Sequence, residues 1–378
     1  MNQESAVLER YSEGANKRHE SLCCPVDYQT DLLKLLPEEI IEKDYGCGDP
    51  SRYVREGDVV LDLGSGSGKI CYMAAQLVGD TGKVIGVDMN NDMLALARKY
   101  QADMATKTNG DRVSFLKGKI QDLSLDVDAM EAWLKSNSVT NADDLSRLEN
   151  WRLKQGQQLP LIADNSIDLV ISNCVLNLVN DAEKQQLVDG IFRVLKPGGR
   201  IAISDIVSDE AIPAHLKANE ELWSGCISGA FQELEMLNMF HAAGFVAVSY
   251  DKWSDSPWQL VEGIEFRSVT LTAIKREQTE CIDKGHAVIY RGPFSFVVDD
   301  EGHEFPRGER MAVCERTFNV LSNEPYKDDF IGIIPAIEQE SKKWCAPAGT
   351  RRSASETKGG MHSITTTDSS CCQYNYGC

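Results

Sequence analysis

Three cysteines stand in sequence settings that suit chemistry at the edge of a sheet. Cys47 lies between two glycines, where other backbone can approach closely. Cys174 directly follows one candidate strand, and Cys226 follows the next one along the chain. The carboxyl ends of parallel strands meet at the functional edge of an open sheet. We therefore expect the three thiols to lie together at this edge of the sheet, where thiolates would bind a soft, thiophilic acceptor.

The overall charge limits the partners of such a site. The chain has 378 residues, with 39 basic and 58 acidic side chains, 12 cysteines and a net charge of -19. This acidic balance argues against binding to nucleic acid or an anionic membrane surface. The cysteines do not form two C-x-x-C pairs, so no zinc ribbon is expected. No secretory signal or membrane span is evident, which predicts the reducing cytosol.

The elements that would position the thiols alternate between β-branched runs and longer helical segments. This alternation predicts an open, doubly wound, mostly parallel sheet of the α/β class. Two candidate helices are 69–77 and 91–100, and the last two strands would form a late hairpin. The seven candidate strands are 59–63, 84–88, 113–116, 167–172, 200–204, 246–250 and 267–274.

Changes in composition predict the domain boundaries. A polar, partly helical stretch at about 121–165 is longer than a simple crossover and is interpreted as an insertion on the rim with a solvated face. Beyond residue 343 the chain is rich in Ser, Thr and Gly, which predicts a flexible tail. The predicted regions are a helical N-terminal cap (1–53), a cofactor-binding domain (54–276), a small β-rich domain (277–340) and a Cys-containing tail (341–378).

A glycine loop follows the first candidate strand. Gly64, Gly66 and Gly68 lie between that strand and a candidate helix, with Asp62 just before them. Such a loop lets a ligand approach the free amides at a helix N-terminus. Asp88 closes the next strand, where a carboxylate can accept hydrogen bonds from both ribose hydroxyls of a nucleoside.

The glycine spacing separates two kinds of nucleoside cofactor. Glycine at every second position differs from the G-x-G-x-x-G dinucleotide fingerprint, and a Lys-Pro-Gly-Gly turn at 196–199 precedes the fifth strand. These features resemble the class I S-adenosylmethionine-dependent methyltransferases. The resemblance implies that Asp62 and the loop hold the methionine end, Asp88 the ribose, and Met89 and 118–121 the adenine. The implied cofactor-binding residues are Asp62, Gly64, Ser65, Gly66, Gly68, Asp88, Met89, Ile120, Gln121 and Asn173.

The cysteine contexts resemble the arsenite methyltransferase family more specifically. The matching segments run from about residue 11 to 318 and are SLCC at 21–24, YGCG at 45–48, LDLGSGSG at 61–68 followed by Cys71, SNCVLNL at 172–178, WSGCISGA at 223–230, EFRSVTLTA at 265–273, HAVIYRGP at 286–293 and PRGERMAVCE at 306–315.

This second resemblance implies the role of each thiol. Cys174 and Cys226 would bind trivalent arsenic, with Cys47 as the third ligand, and Cys23 or Cys24 would exchange disulfides with Cys47. The arsenic lone pair would attack the sulfonium methyl, so no general base is required. Methylation formally oxidises arsenic, so a protein disulfide would form, and thioredoxin or glutathione would reset it.

Two other functions remain open at this stage. One is a C- or N-methyltransferase of a small organic molecule, which would survive loss of the cysteines. The other is a thiol-rich soft-metal-binding protein without catalysis, which would bind metal but not consume S-adenosylmethionine. A complete cofactor loop counts against the second alternative. A monomer is the expected oligomeric state.

Overall fold

The computed structural model describes residues 3–16, 26, 28–43, 45–276, 280–344, 346–347 and 349–358. The chain divides into two units, Met1–Arg276 and Glu277–Cys378, and each is described by itself. Among the described residues, no helix has both the length and the apolar character needed to cross a membrane.

The first unit contains the predicted strands and helices. Its first elements are α1 (Gln3–Asn16), α2 (Thr30–Leu33), α3 (Glu38–Glu42), β1 (Val59–Leu63), α4 (Lys69–Ala75), β2 (Lys83–Asp88), α5 (Asn91–Lys99), α6 (Gln101–Lys107) and β3 (Val113–Lys117). There follow α7 (Val127–Leu134), α8 (Ala142–Gln158), β4 (Ile167–Asn173), α9 (Lys184–Val194), β5 (Leu195–Ser208), α10 (Ala214–Lys217) and α11 (Glu220–Ser224). The last are β6 (Phe231–Gln232), α12 (Glu233–Ala242), β7 (Phe245–Trp253), β8 (Gln259–Val261) and β9 (Ile264–Lys275).

The sheet of the first unit has the strand order β3-β2-β1-β4-β5-β9-β7. Neighbours among β1 to β5 pair in parallel, whereas β9 runs antiparallel to β5 and to β7. The prediction of a doubly wound, mostly parallel sheet with a late hairpin is therefore confirmed. This order brings the carboxyl ends of β1 and β4 side by side, where the glycine loop and Cys174 begin.

Both faces of the sheet are covered, which explains the nearly continuous apolar runs of its strands. Successive side chains of a strand point to opposite faces. Leu169 accordingly packs in the cluster on one face with Val60, while Val170 packs on the other face with Leu61. All four of these side chains are fully buried, with no exposed fraction.

The fifth strand differs from the prediction at its start. The Lys-Pro-Gly-Gly segment was expected to form a turn before the strand, but β5 already begins at Leu195. A shift in the pairing of β4 with β5, between Ile167 and Leu169, accommodates this segment. Gly198 supplies the left-handed backbone there, with φ of 77°.

The stretch 121–165 forms α7 and α8, joined to the core at both ends. Leu123 and Ile162 are buried in the main cluster, and their backbones are joined by a 3.0 Å hydrogen bond. Between them, Trp133 of α7 stacks on Trp151 of α8 with ring centroids 5.6 Å apart. The insertion is therefore a helical pair with its own aromatic contact, held to the sheet by its two ends.

The described part of the second unit is built from short strands and two helices. Val288 and Phe330 lie in its apolar cluster. Its sheet of three strands has the order β14-β11-β15, with all pairs antiparallel. The elements are β10 (Ile282–Asp283), β11 (Ala287–Tyr290), β12 (Phe296–Val298), β13 (Glu304–Pro306), β14 (Arg310–Ala312), α13 (Glu315–Leu321), β15 (Phe330–Ile333), β16 (Lys342–Lys343) and α14 (Ala354–Thr357).

The predicted tail starts too early. β16 pairs with β10, and the buried Arg352 guanidinium lies 2.8 Å from the Asp283 carboxylate. The prediction of a flexible tail is therefore wrong for the described residues between 341 and 358. Composition missed this because the segment is fixed by backbone pairing and an ion pair rather than by large aliphatic side chains. Cys371, Cys372 and Cys378 lie outside the described residues.

Candidate active site

The glycine loop leaves β1 in a series of left-handed residues. Gly64, Gly66 and Gly68 have φ of 72°, 50° and 85°, a region that residues with a Cβ rarely adopt. The loop ends where α4 begins, directly after Gly68. The Gly66 amide donates a 2.8 Å hydrogen bond to Asp88 at the end of β2. The sequence motif thus forms a loop that is tied to the neighbouring strand end.

A cavity of about 340 Å³ opens above this loop. Gly68 is set back from the cavity, at a place where an added Cβ would lie 2.7 Å from the Phe115 ring. Val7, Leu8 and Tyr11 of α1 contribute to its wall. The other predicted cofactor-binding residues line it: Asp62, Gly64, Ser65, Gly66, Asp88, Met89, Ile120, Gln121 and Asn173.

The polar groups of the cavity suit a nucleoside with a charged tail. Asp62 is buried, with an exposed fraction of 2%, and its carboxylate accepts a 3.2 Å hydrogen bond from the Cys71 thiol. Burial raises the pKa of Cys71 well above its usual value, so that side chain stays a thiol. Among the described groups, the buried Ser65 hydroxyl has no hydrogen-bond partner in the structure. Burial raises the pKa of Asp88, while three backbone amides oppose that shift.

The loop that carries Cys47 is held by Asn173 at the end of β4. The Asn173 side-chain oxygen accepts hydrogen bonds from the amides of Cys47 at 2.8 Å and Gly48 at 3.0 Å. Its amide nitrogen donates to the Gly48 carbonyl at 2.9 Å. Asn173 lines the cavity, as the cofactor prediction requires, but its polar atoms already bind this loop. Its evident structural task is therefore to position Cys47.

The two glycines that flank Cys47 permit a close approach. A Cβ on Gly46 would lie 2.1 Å from the Asn173 side-chain nitrogen, and one on Gly48 would lie 2.4 Å from the Ser204 hydroxyl. The Ser268 hydroxyl donates to the Cys47 carbonyl at 2.6 Å. The sequence prediction of close backbone contact at these glycines agrees with this geometry.

The structure brings Cys47, Cys174 and Cys226 together in one buried cluster. Cys47 and Cys174 form a disulfide with their Cα atoms 5.8 Å apart, and the Cys226 thiol donates to the Cys174 carbonyl at 3.3 Å. Cys47 and Cys174 are therefore in the oxidised state here. The expected arsenic-binding thiolates belong to the reduced state of these cysteines, so their ligand roles stay a prediction. Cys23 and Cys24 lie outside the described residues.

Two of these cysteines have an unusual backbone. Cys174 has φ of 58° and Cys226 has φ of 62°, so both lie in the left-handed region. A non-glycine residue held there costs about 1–3 kcal/mol, and such strain concentrates at functional sites. The Cys174 amide donates to the Ser204 carbonyl at 2.8 Å, and the Cys226 amide donates to the Trp223 carbonyl at 3.1 Å. These hydrogen bonds hold the two residues in place.

Sequence reasoning missed a carboxylate at the thiol cluster. An Asp205 oxygen lies within 4.8 Å of the Cys47 and Cys174 sulfurs, and the side chain is fully buried. Burial raises the pKa of Asp205 to about 7, although the amides of Ile206 and Leu176 donate to it. The sequence signal that could have revealed Asp205 was an acidic residue in the middle of the apolar strand β5.

Sequence reasoning also missed the part played by α1. The half-buried Tyr11 side chain interacts with Cys226. Burial of the hydroxyl, followed by the effect of Cys226, raises the pKa of Tyr11 well above its usual value. Arg10 donates to the Glu221 carbonyl at 2.9 Å and to the Ser224 hydroxyl at 2.7 Å. α1 therefore contacts both the cofactor cavity and the segment before Cys226. No local motif in α1 signals this role.

The fold and the cavity define a class of protein. A family model described as a methyltransferase domain matches residues 55–147 and 136–244, two stretches that overlap within the helical insertion. A second model, described as a domain of unknown function, matches residues 277–362. With its strand order, glycine loop and strand-end carboxylate, the first unit has the fold of the class I S-adenosylmethionine-dependent methyltransferases.

Similar proteins narrow the class to a family. An arsenite methyltransferase of Aquipseudomonas alcaligenes is 32% identical over 327 residues, covering 82% of this chain and 84% of that protein. One from Mus musculus is 31% identical and covers 80% and 74%. The crystal structure of an arsenic(III) S-adenosylmethionine methyltransferase from Chlamydomonas reinhardtii matches with a TM-score of 0.53 and 26% identity, covering 85% of this chain and 100% of that one. The chain belongs to the arsenite methyltransferase family.

Proposed function

We propose that this protein transfers methyl groups from S-adenosylmethionine to trivalent arsenic bound by Cys47, Cys174 and Cys226. One observation carries the proposal: three cysteines from distant segments meet in one buried cluster, and Cys174 also lines the cofactor cavity. A thiol-bound acceptor would therefore lie next to a bound cofactor. Positioning of two reactants in this way can supply much of a rate enhancement.

The cavity fits S-adenosylmethionine through its polar groups. Asp62 and the loop amides would hold the methionine end, and Asp88 would accept hydrogen bonds from the ribose. The unpartnered Ser65 hydroxyl offers one more polar contact inside the cavity. When bound, the cofactor supplies a methyl group on a positively charged sulfur, which a nucleophile with a free lone pair can accept.

The thiol cluster must be reduced before it binds arsenic. The Cys47–Cys174 disulfide takes up two electrons and two protons from an external dithiol, or from two monothiols, which become a disulfide in turn. Thioredoxin or glutathione would serve as that reductant. Arsenite then exchanges its three hydroxyl groups for three sulfurs, and the thiol protons leave with the hydroxyls as water. Ligation therefore requires no separate general base.

Methylation returns the thiol cluster to an oxidised state. Arsenic loses its lone pair to the new carbon bond, so two electrons are needed to restore the trivalent form. Two of the ligating cysteines supply these electrons: their two arsenic–sulfur bonds break, one sulfur–sulfur bond forms, and water replaces the lost ligands on arsenic. The Cys47–Cys174 pair has the proximity that this disulfide requires. Cys23 or Cys24 would exchange with Cys47 in a later step, as the family resemblance implies. An external thiol closes the cycle.

The environment and partners follow from this chemistry. Ligand thiols must be kept reduced, so we infer that the protein works in the cytosol. We also infer that it acts as a monomer on arsenite and methylated trivalent arsenicals. Binding to nucleic acid or an anionic membrane is not expected, because the net charge of -19 repels both surfaces.

The activity test is a reaction with separated products. The purified, reduced protein is incubated with arsenite, S-adenosylmethionine and a thiol, and the arsenic species are separated and counted. We expect methylated arsenic and an equivalent amount of S-adenosylhomocysteine. Arsenic binding without consumption of S-adenosylmethionine would instead indicate a sequestering protein. Methylation of a small organic acceptor, with arsenite left unchanged, would also contradict the proposal.

A further inference from the structure

A buried carboxylate stands beside the thiol cluster. Asp205, in the middle of β5, has no exposed fraction. Among the described residues no cation forms an ion pair with it: Lys184, whose charge acts on Asp205, donates instead to the Asp181 carboxylate at 2.6 Å and to the Gly229 carbonyl at 2.7 Å. A carboxylate removed from water usually pairs with a cation or binds a metal ion. The burial of Asp205 therefore indicates a site for a positively charged ligand.

Backbone amides hold this carboxylate in one orientation. The Ile206 amide donates to one oxygen at 2.8 Å, and the Leu176 amide donates to the other at 3.0 Å. The Asn177 amide also acts on the carboxylate. An ionised carboxylate has about four lone-pair sites on its two oxygens, so at least one site remains for a further ligand.

Two sulfur atoms lie next to this carboxylate. One Asp205 oxygen and the sulfurs of Cys47 and Cys174 all lie within 4.8 Å of one another, and all three residues are buried. In a tetrahedral zinc site the metal lies about 2.3 Å from sulfur and about 2.1 Å from oxygen, which places the ligand atoms about 3.6–3.8 Å apart. Once the disulfide is reduced, the two sulfurs need to separate only to that distance, and their Cα atoms are 5.8 Å apart. The three ligand atoms can therefore surround one small cation.

The mixed ligand set indicates the class of cation. Magnesium and calcium take oxygen ligands, whereas zinc takes both thiolate sulfur and carboxylate oxygen. Two thiolates and one carboxylate together carry three negative charges, most of which a divalent cation offsets. We propose that reduced Cys47 and Cys174 form, with Asp205, a binding site for a thiophilic divalent cation of the zinc class.

The binding step balances once the disulfide is open. The Cys47–Cys174 bond takes two electrons and two protons from an external dithiol, which becomes a disulfide itself, and two thiols result. The cation then displaces both thiol protons, and any proton on the Asp205 carboxylate, into solvent. It also loses the water molecules whose places the protein ligands take. The metal stays divalent, so binding itself needs no oxidant or reductant.

Such a cation would compete with arsenite. It occupies Cys47 and Cys174, two of the three thiols proposed to bind trivalent arsenic, so the two ligands exclude each other. Zinc should accordingly raise the KM for arsenite and leave kcat unchanged. This consequence rests on the proposed function, whereas cation binding does not. The carboxylate separates the two ligands, because arsenite uses three sulfurs in that proposal and the cation uses two sulfurs and Asp205.

The test measures zinc affinity of the full chain without arsenic or S-adenosylmethionine. Protein reduced with a dithiol, which is then removed, is titrated with zinc chloride against a chromophoric chelator. We expect Asp205→Asn to raise the Kd of one zinc site at least about tenfold, because loss of a ligand should cost no less than loss of a group that supports a ligand. Cys174→Ser should remove that site. Asp62→Asn is the matched control and should bind zinc as the wild type does, because that buried carboxylate contacts the Cys71 thiol instead.

Unchanged zinc binding in Asp205→Asn or in Cys174→Ser would overturn the inference, and so would an equal loss in Asp62→Asn. If the variants do not fold, crystals of the reduced wild-type protein soaked in zinc chloride are decisive: zinc anomalous scattering must show a peak that contacts both sulfurs and the Asp205 carboxylate. Zinc only at other residues, or on the sulfurs without the carboxylate, would overturn it equally. These measurements involve no methyl transfer, so their failure leaves the proposed function intact. Zinc binding here by a protein that methylates no arsenite would contradict the proposed function alone.

Discussion

The cofactor side and the thiol side of the active site are built in different ways. The cofactor side comes mainly from one short stretch, in which β1, the glycine loop and β2 follow one another between Val59 and Asp88. The thiol side takes Cys47, Cys174 and Cys226 from three distant segments. Local sequence can therefore specify the first, whereas only the completed sheet can assemble the second.

The two sides also differ in where they place left-handed backbone. On the cofactor side this conformation falls on glycines, where it costs little. On the thiol side it falls on Cys174 and Cys226, at a cost of about 1–3 kcal/mol each. The contrast indicates that the thiol positions are held for their chemistry rather than for stability. It also implies that each side can be damaged separately.

The largest expected effect is on the thiol side. Cys226→Ser should abolish arsenite methylation, because a hydroxyl is a poor ligand for a soft acceptor. The affinity for S-adenosylmethionine, measured by calorimetry, should stay at the wild-type value. Arsenite methylation is measured on the same preparation by separating the arsenic products. Retained methylation, or a parallel loss of cofactor binding, would contradict the separation of the two sides.

The converse change is on the cofactor side. Asp88→Ala removes a carboxylate placed to accept hydrogen bonds from the ribose, and bonds of this charged kind contribute about 1.5–3 kcal/mol. The Kd for S-adenosylmethionine should rise roughly 10- to 100-fold. Arsenite binding, measured without cofactor, should not change. An equal loss of affinity for S-adenosylmethionine and for arsenite would instead show that the substitution has disturbed the whole edge of the sheet.

A smaller effect tests the support of Cys47. In Gly48→Ala the new Cβ would lie 2.4 Å from the Ser204 hydroxyl, so the loop must shift. Overpacking of this kind costs about 1–3 kcal/mol, and we expect kcat for arsenite methylation to fall roughly tenfold. The control is Gly190→Ala in α9, where the nearest atom is 4.0 Å away. If kcat falls to the same extent in both variants, the geometry of the Cys47 loop is not the cause.

The smallest expected effect concerns α1. Tyr11→Phe removes the hydroxyl that interacts with Cys226 and keeps the aromatic ring. A neutral hydrogen bond contributes about 0.5–1.5 kcal/mol, so KM for arsenite should rise a few fold. Steady-state kinetics at saturating cofactor measures this change. A larger effect on the KM for S-adenosylmethionine would place Tyr11 on the cofactor side instead.

Much of the fold was readable from local sequence. β1 begins and ends at the predicted residues because its apolar run is followed by the glycine loop. β5 was predicted too short at its start. The Lys-Pro-Gly-Gly segment carries no sequence signal for the register shift that allows it to pair within the sheet. Pairing with a neighbouring strand is a property of the folded chain, and local propensity does not contain it.

The site was only partly predictable for the same reason. The sequence placed Cys174 and Cys226 on one rim, but a disulfide between residues 127 positions apart has no local signal. Asp205 resembles an ordinary strand residue until its neighbours are known. Arg352 pairs with Asp283 across a long stretch of chain, so the start of the tail was misjudged. Contacts of this long-range kind can be identified only once the fold of the chain is known.

The most direct measurement of the central claim is the coordination of bound arsenic. Reduced protein with one equivalent of arsenite is examined by arsenic X-ray absorption, beside the Cys226→Ser variant. Three sulfur ligands are predicted in the wild-type protein, and fewer in the variant. Three-sulfur coordination that persists in Cys226→Ser, or arsenic that keeps its oxygen ligands in the wild-type protein, would contradict the account.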